Sequence, residues 1–230
     1  MSEEKLSPGN ISNLDNKAKE LGIGGKLSPE NDENLYKKRM QQRKDIQLKR
    51  LKMRNTKKGL VIVFTGNGKG KTTASLGMAL RTIGHGFNVA IIQFIKGGWN
   101  TGEEKAFKNL SSKVSWHSLG EGFTWETQDR IRDEELVKKA WQIAKKYIED
   151  KNYKLIILDE INIATKLGYL APEEIITFLK NLNNRKNHIV LTGRGASDLI
   201  INYADLVTEM KLIRHPFKEQ GIKAQKCVEF

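Results

Sequence analysis

Apolar residues are sparse over the first 58 positions and crowd into short blocks after that. The blocks at 60–64, 89–94 and 155–158 are continuous runs of Leu, Val, Ile, Ala and Phe broken only by Gln93. A run without polar alternation fits a strand covered on both faces, so each predicts a buried strand. Less purely apolar segments at 188–191 and 206–213 predict two more, and 114–117 a weaker one. Between them the period lengthens to that of a helix. Leu76, Ala79, Leu80 and Ile83 mark a helix over 72–85 that ends at Gly84 and Gly86. A long amphipathic helix is expected over 126–150. Another spans 172–182, opened by Pro172 in the favoured first turn, and a short one spans 198–203. Strands alternating with helices imply a mainly parallel sheet between helical layers. No block approaches the ~18 apolar residues that span a bilayer, so no membrane partner is expected.

The polar N-terminal stretch divides in two by charge. Residues 1–36 carry four Lys and seven acids, whereas 37–58 carry eleven Lys or Arg against Asp45 alone. Most of the formal net charge of +13 therefore sits in one segment. Residues 1–35 bury too little apolar surface to offset ordering entropy and are expected to be disordered. Residues 36–57 lack Gly and Pro and predict a basic helix. Three readings of the 36–58 arm stand: a solvated helix, a lid or docking arm for a polyanionic ligand, and a nucleic-acid contact. Only Tyr36 interleaves with its charges, which argues against stacking on nucleic-acid bases. Residues 59–230 form the expected globular domain. The acidic N-terminus has neither an apolar leader core nor an Arg-rich transit pattern, so a cytoplasmic location is expected. Cys227 is the single cysteine, which leaves no intrachain disulfide.

The strongest motif is Thr65-Gly66-Asn67-Gly68-Lys69-Gly70-Lys71-Thr72-Thr73, between a predicted strand and a predicted helix. Glycines let backbone N–H groups turn around phosphate oxygens, and the helix N-terminus adds partial positive charge. Lys71 supplies a full charge, and the Thr72 hydroxyl suits Mg²⁺. This is a P-loop for ATP, with Gly66, Asn67, Gly68, Lys69, Gly70, Lys71, Thr72 and Thr73 as binding residues. It departs from the strict pattern at Thr65, where a glycine is usual. Asp159-Glu160, at the end of a buried strand, can complete the Mg²⁺ shell with Thr72, although a strand-capping pair would look the same. The fold class expected is α/β: a P-loop NTPase-like, recombinase-like sheet flanked by helices, with a basic N-terminal arm.

A nucleotide site does not name a reaction. Here the sequence resembles the P-loop-type ATP:corrinoid adenosyltransferases. The likeness rests on 63–73, Gly84-His85-Gly86, Gln93-Phe94-Ile95-Lys96-Gly97, Gly122-Phe123-Thr124-Trp125-Glu126-Thr127-Gln128, Leu158-Asp159-Glu160, Thr192-Gly193-Arg194-Gly195 and Gly221-Ile222-Lys223-Ala224-Gln225. It covers about three quarters of the chain, and residues 1–35 have no counterpart. The resemblance implies that Co(I) of a reduced corrinoid attacks the 5′ carbon of ATP and releases triphosphate, with ATP reversed in the P-loop and Lys71 catalytic. It also implies that Phe123 and Trp125 pack under the corrin ring and displace its lower ligand. Without it, the two rings read as hydrophobic plugs under a loop. A reduced flavoprotein electron donor, a homodimer and a lid role for the arm come from the same source. Cys227 stands where the family pattern expects a small residue, Gly.

The remaining candidates are weaker. Arg194 fits a contact with phosphate or with a corrinoid side chain, and equally an ordinary loop arginine. His85, His117, His188 and His215 lack metal-ligand spacing and read as caps or surface residues. Trp141 reads as core. The competing function is a recombinase-like P-loop ATPase whose basic arm contacts nucleic acid.

Overall fold

The computed structural model describes residues 33–54, 57–95, 101–119, 129–182 and 184–228. It divides into two compact units, 1–57 and 58–230. Of the first unit, the described part is helix α1, Glu33–Met53. It begins three residues before the expected start at 36 and ends four before the expected end at 57. Glu33 lies in its first turn, and Arg50 and Lys52 in its last, each sign favourable to the helix dipole. The expectation of disorder at 1–35 falls on 1–32 outside the described residues.

The second unit is built on six strands: β1 Val61–Thr65, β2 Asn88–Gln93, β3 Val114–Ser118, β4 Tyr153–Asp159, β5 His188–Thr192 and β6 Leu206–Glu209. Their order is β3-β2-β4-β5-β1-β6, and every neighbouring pair is parallel. Helices fill the connections: α2 Lys71–Gly84, α3 Gly102–Leu110, α4 Arg130–Glu149, α5 Ile161–Lys166, α6 Pro172–Asn181 and α7 Asp198–Tyr203, while α8 Pro216–Gln220 follows β6. β5 lies between the strand that feeds the glycine loop and the strand that ends in Asp159. That is the recombinase-like arrangement expected.

The continuous apolar runs make sense once both faces of the sheet are considered. Val61, Val63, Ala90, Ile92, Ile156, Leu158, Ile189 and Leu191 point to one face, where α4, α5, α6 and α7 pack. Ile62, Phe64, Val89, Ile91, Leu155, Ile157 and Val190 point to the other, against Leu76 and Ala79 of α2 and Phe107 of α3. Successive residues of a strand alternate sides, so a sheet covered twice demands apolar residues at every position. Each fully buried Ile, Leu or Val contributes about 1.5–3 kcal/mol relative to exposure. Trp141 is 1% exposed in the first cluster, edge-on to Phe178, and its N–H donates to Glu174 Oε1 at 2.6 Å.

Three expectations need correction. The last strand stops at Glu209 and does not run to 213. Residues 210–213 instead turn over the glycine loop, where the Met210 carbonyl accepts from Gly68 N. Leu80, placed on the buried face of α2, is 53% exposed. Finally, α3, α5 and α8 were not anticipated. Thr101 caps α3 by accepting from Glu104 N, a Thr-x-x-Glu spacing that could have revealed it. The expected helix over 126–150 is present from Arg130 to Glu149, and 126–128 lie outside the described residues.

Candidate active site

β1 delivers the chain to the C-terminal rim of the sheet, and α2 begins six residues later. Gly70 is the residue before the helix, so the unbonded N–H groups of the first turn of α2 face the loop. Lys71 is only 8% exposed. Its ammonium donates to Gly66 O at 2.9 Å and Gly68 O at 2.5 Å, which holds the cation inside the loop. Asn67, Lys69 and Thr73 are exposed around it.

Two loop glycines are required by close neighbours as well as by turn geometry. Gly66 has φ +94°, and a Cβ there would lie 2.5 Å from Met210 O. A Cβ on Gly68 would lie 2.7 Å from Lys211 O. The non-glycine at 65 also has a physical account. Thr65 is buried, and its Oγ1 accepts from Ala196 N at 3.2 Å, which ties the end of β1 to the loop after β5.

Asp159 ends β4 and is 1% exposed. Thr72 Oγ1 donates to its Oδ1 at 2.9 Å, Thr192 Oγ1 donates to the same oxygen at 2.6 Å, and Gln93 Nε2 donates to Oδ2 at 3.1 Å. Thr192 in turn accepts from Glu160 N at 3.0 Å. Thr72 and Asp159 thus present two hard oxygens 2.9 Å apart. Adjacent ligands of an octahedron with bonds of about 2.0–2.1 Å lie about 2.9 Å from each other, so the pair fits Mg²⁺. Glu160 caps α5 with φ +62°, and its carboxylate lies against Gly193, where a Cβ would be 3.2 Å from Oε2. Gly193 follows β5, the strand that pairs with β1.

Arg194, exposed in the same turn, lines a cavity of about 750 Å³ with Asn67, Glu209, Lys211, His215 and Lys218. Leu212, Ile213 and Phe217 complete its lining, so Arg194, Lys211 and Lys218 bring positive charge to a wall that is also partly apolar. Phe123 and Trp125 lie outside the described residues, as do Lys96 and Gly97.

Two histidines are caps, His85 at the end of α2 and His215 at the start of α8. The other two are half-buried and bonded, contrary to the cap-or-surface reading. His117 Nε2 pairs with Tyr147 OH at 2.8 Å, and His188 Nδ1 accepts from Leu60 N at 3.1 Å. Burial lowers the pKa of both rings, and Lys154 and Arg185 lower that of His188 further. Cys227 has φ +71°, the left-handed conformation that explains why glycine suits this position.

Thr72 and Asp159, both expected at the site from the sequence, meet here, joined by Gln93 and Thr192, which were not expected as partners of Asp159. Each is the polar residue that closes an apolar strand, which is the feature that could have exposed them.

A parallel sheet covered on both faces, with a glycine-rich loop and an internally held lysine at its C-terminal rim, defines a P-loop nucleotide-binding α/β protein. Over residues 57–230 the chain matches the model of the family described as ATP:corrinoid adenosyltransferase BtuR/CobO/CobP, and it belongs to that family. It is 46% identical to a corrinoid adenosyltransferase of Sinorhizobium sp over 92% of this chain and 99% of the relative. It is 44% identical to a corrinoid adenosyltransferase of Pseudomonas aeruginosa over 88% and 98% of the two chains. Against corrinoid adenosyltransferase CobA of Salmonella typhimurium the identity is 39%, over 85% and 97%.

Proposed function

We propose that this protein transfers the 5′-deoxyadenosyl group of ATP to the Co(I) centre of a reduced corrinoid and releases triphosphate. The observation that carries the reading is Lys71 and Thr72 at the head of α2, with Thr72 bonded to Asp159, in a chain of this family. In the reaction the cobalt electron pair forms a bond to the ribose 5′ carbon. The C5′–O bond breaks, and its electrons leave on the triphosphate.

The residues suit that task. The Lys71 ammonium, the loop N–H groups and the N-terminus of α2 are fixed before reaction and place positive charge where the departing oxygen becomes negative. Thr72 and Asp159, with Glu160 next to Asp159 in sequence, would hold Mg²⁺, which adds charge to the same leaving group. Arg194 belongs to the anion-binding wall. By the family resemblance, Phe123 and Trp125 lie under the corrin ring and replace its lower ligand. Loss of an electron-donating axial ligand eases reduction of Co(II).

A reduced flavoprotein as electron donor, a homodimer, a cytoplasmic location and closure of the 36–58 arm over the site complete the proposal. Among the described residues no helix is long and apolar enough to cross a membrane. The alternative of a recombinase-like ATPase with a nucleic-acid-binding arm is not favoured, because the relatives align over nearly their whole length as corrinoid adenosyltransferases.

The test is incubation of the purified protein with ATP, Mg²⁺ and chemically reduced corrinoid. A light-sensitive adenosyl product with equimolar intact triphosphate is expected. ADP and phosphate, stimulated by DNA or RNA and without that product, would overturn the proposal.

A further inference from the structure

Gln93 closes β2 in register with Asp159 on β4 and Ser118 on β3. It is 4% exposed, and both ends of its amide are engaged. Nε2 donates to Asp159 Oδ2 at 3.1 Å. Oε1 accepts from Ser118 Oγ at 2.8 Å and, more weakly, from Trp116 Nε1 at 3.3 Å. The polarity of this amide is chemically forced. An ionised carboxylate can only accept, so Nε2 must face Asp159, which leaves Oε1 toward the Ser118 hydroxyl and the Trp116 N–H, itself bonded to Ser118 Oγ at 3.0 Å. Trp116 is itself held by Phe107 of α3, with ring centroids 5.9 Å apart.

Asp159 therefore receives Thr192 and Thr72 on one oxygen and Gln93 on the other. A carboxylate on a single Cβ can rotate about χ2. The bond to Oδ2 opposes that rotation and keeps Oδ1 turned toward Thr72. We infer that Gln93 is a positioning residue: anchored through Ser118 and Trp116, it fixes the rotation of Asp159 and thereby sets the affinity of the Thr72–Asp159 pair for the divalent cation of Mg·ATP. The inference rests on the metal reading of that pair proposed above. Supporting partners that orient a metal-ligating carboxylate commonly govern about 10–100-fold in metal affinity.

The test measures binding of labelled ATP to the full-length protein by equilibrium dialysis while Mg²⁺ is titrated. In Gln93→Met, which keeps the length of the side chain without its amide, half-saturating Mg²⁺ should rise about 10-fold. ATP binding in EDTA should be unchanged. Ser118→Ala, which leaves Gln93 on Asp159 but loosens its anchor, should shift the midpoint in the same direction by less. A Gln93→Met protein with the wild-type Mg²⁺ midpoint overturns the inference, and so does equal loss of ATP binding with and without Mg²⁺. If Gln93→Met does not fold, Ser118→Ala decides alone, and an unshifted midpoint overturns the inference. Wild-type ATP binding that ignores Mg²⁺ would instead remove the metal reading itself, and adenosyl transfer by the wild type is scored separately.

Discussion

Thr192 and Asp159 end neighbouring strands and share a 2.6 Å hydrogen bond, while the same threonine oxygen accepts the Glu160 amide. One hydroxyl thus serves two purposes: it orients the carboxylate beside Thr72, and it satisfies the backbone where Glu160 adopts φ +62°. Thr192→Val preserves shape and removes both bonds. The Glu160 N–H left without its acceptor should cost about 1–3 kcal/mol in urea unfolding, while Asp159 keeps Thr72 and Gln93. Thr192→Ser should recover most of the loss. A valine variant as stable as the wild type would contradict this account.

Lys71→Ala should lower turnover about 10²-fold or more, since removal of one preorganised electrostatic donor costs about 2.7–4 kcal/mol in the transition state. Steady-state kcat with chemically reduced corrinoid is the measurement. Near-wild-type turnover would reject the role of the ammonium.

Thr65 offers a prediction opposite to motif logic. Restoring the usual glycine by Thr65→Gly removes the acceptor of Ala196 N and adds backbone freedom in β1. Leaving the Ala196 N–H without its acceptor should cost about 1–3 kcal/mol, and the glycine about 0.5–1 more. Thermal or urea denaturation should therefore show a less stable protein, although its motif looks more regular.

His188 should make stability depend on pH. Its folded pKa is lowered by burial and by Lys154 and Arg185, so the unfolded chain takes up a proton first as pH falls. Stability is complete above the ordinary histidine value near 6.5 and declines as pH drops from there through the lower folded pKa. Protonation would also displace the Leu60 N–H from Nδ1. His188→Asn, which can accept without titrating, should flatten the decline between pH 7 and 5. A slope of the same sign should remain from His117, whose pKa burial also lowers. An unchanged slope in the variant would count against His188.

Much of this molecule was legible in its sequence because its strongest physical demands are local. Val61 to Phe64 had to be apolar on both faces, and Gly66 to Lys71 had to turn tightly into a helix. Those requirements act within a dozen residues and leave a visible trace. The neighbours of Asp159 do not. Gln93 and Thr192 reach it because β2 and β5 flank β4, an order set by the crossovers and written in no single segment. The overextended last strand failed for a related reason. Residues 206–213 have strand-like composition, but after the Met210 N–H bonds Thr65 O the chain leaves the ladder and follows the glycine loop.

The seating of Gly66 and Gly68 beneath Met210 and Lys211 makes cradle and tail a single mortised joint. A protein truncated before residue 210 would keep every letter of the nucleotide motif yet lose the wall that shapes it. Because backbone atoms make that wall, substituting the side chains of Met210 or Lys211 should disturb it far less than such a truncation.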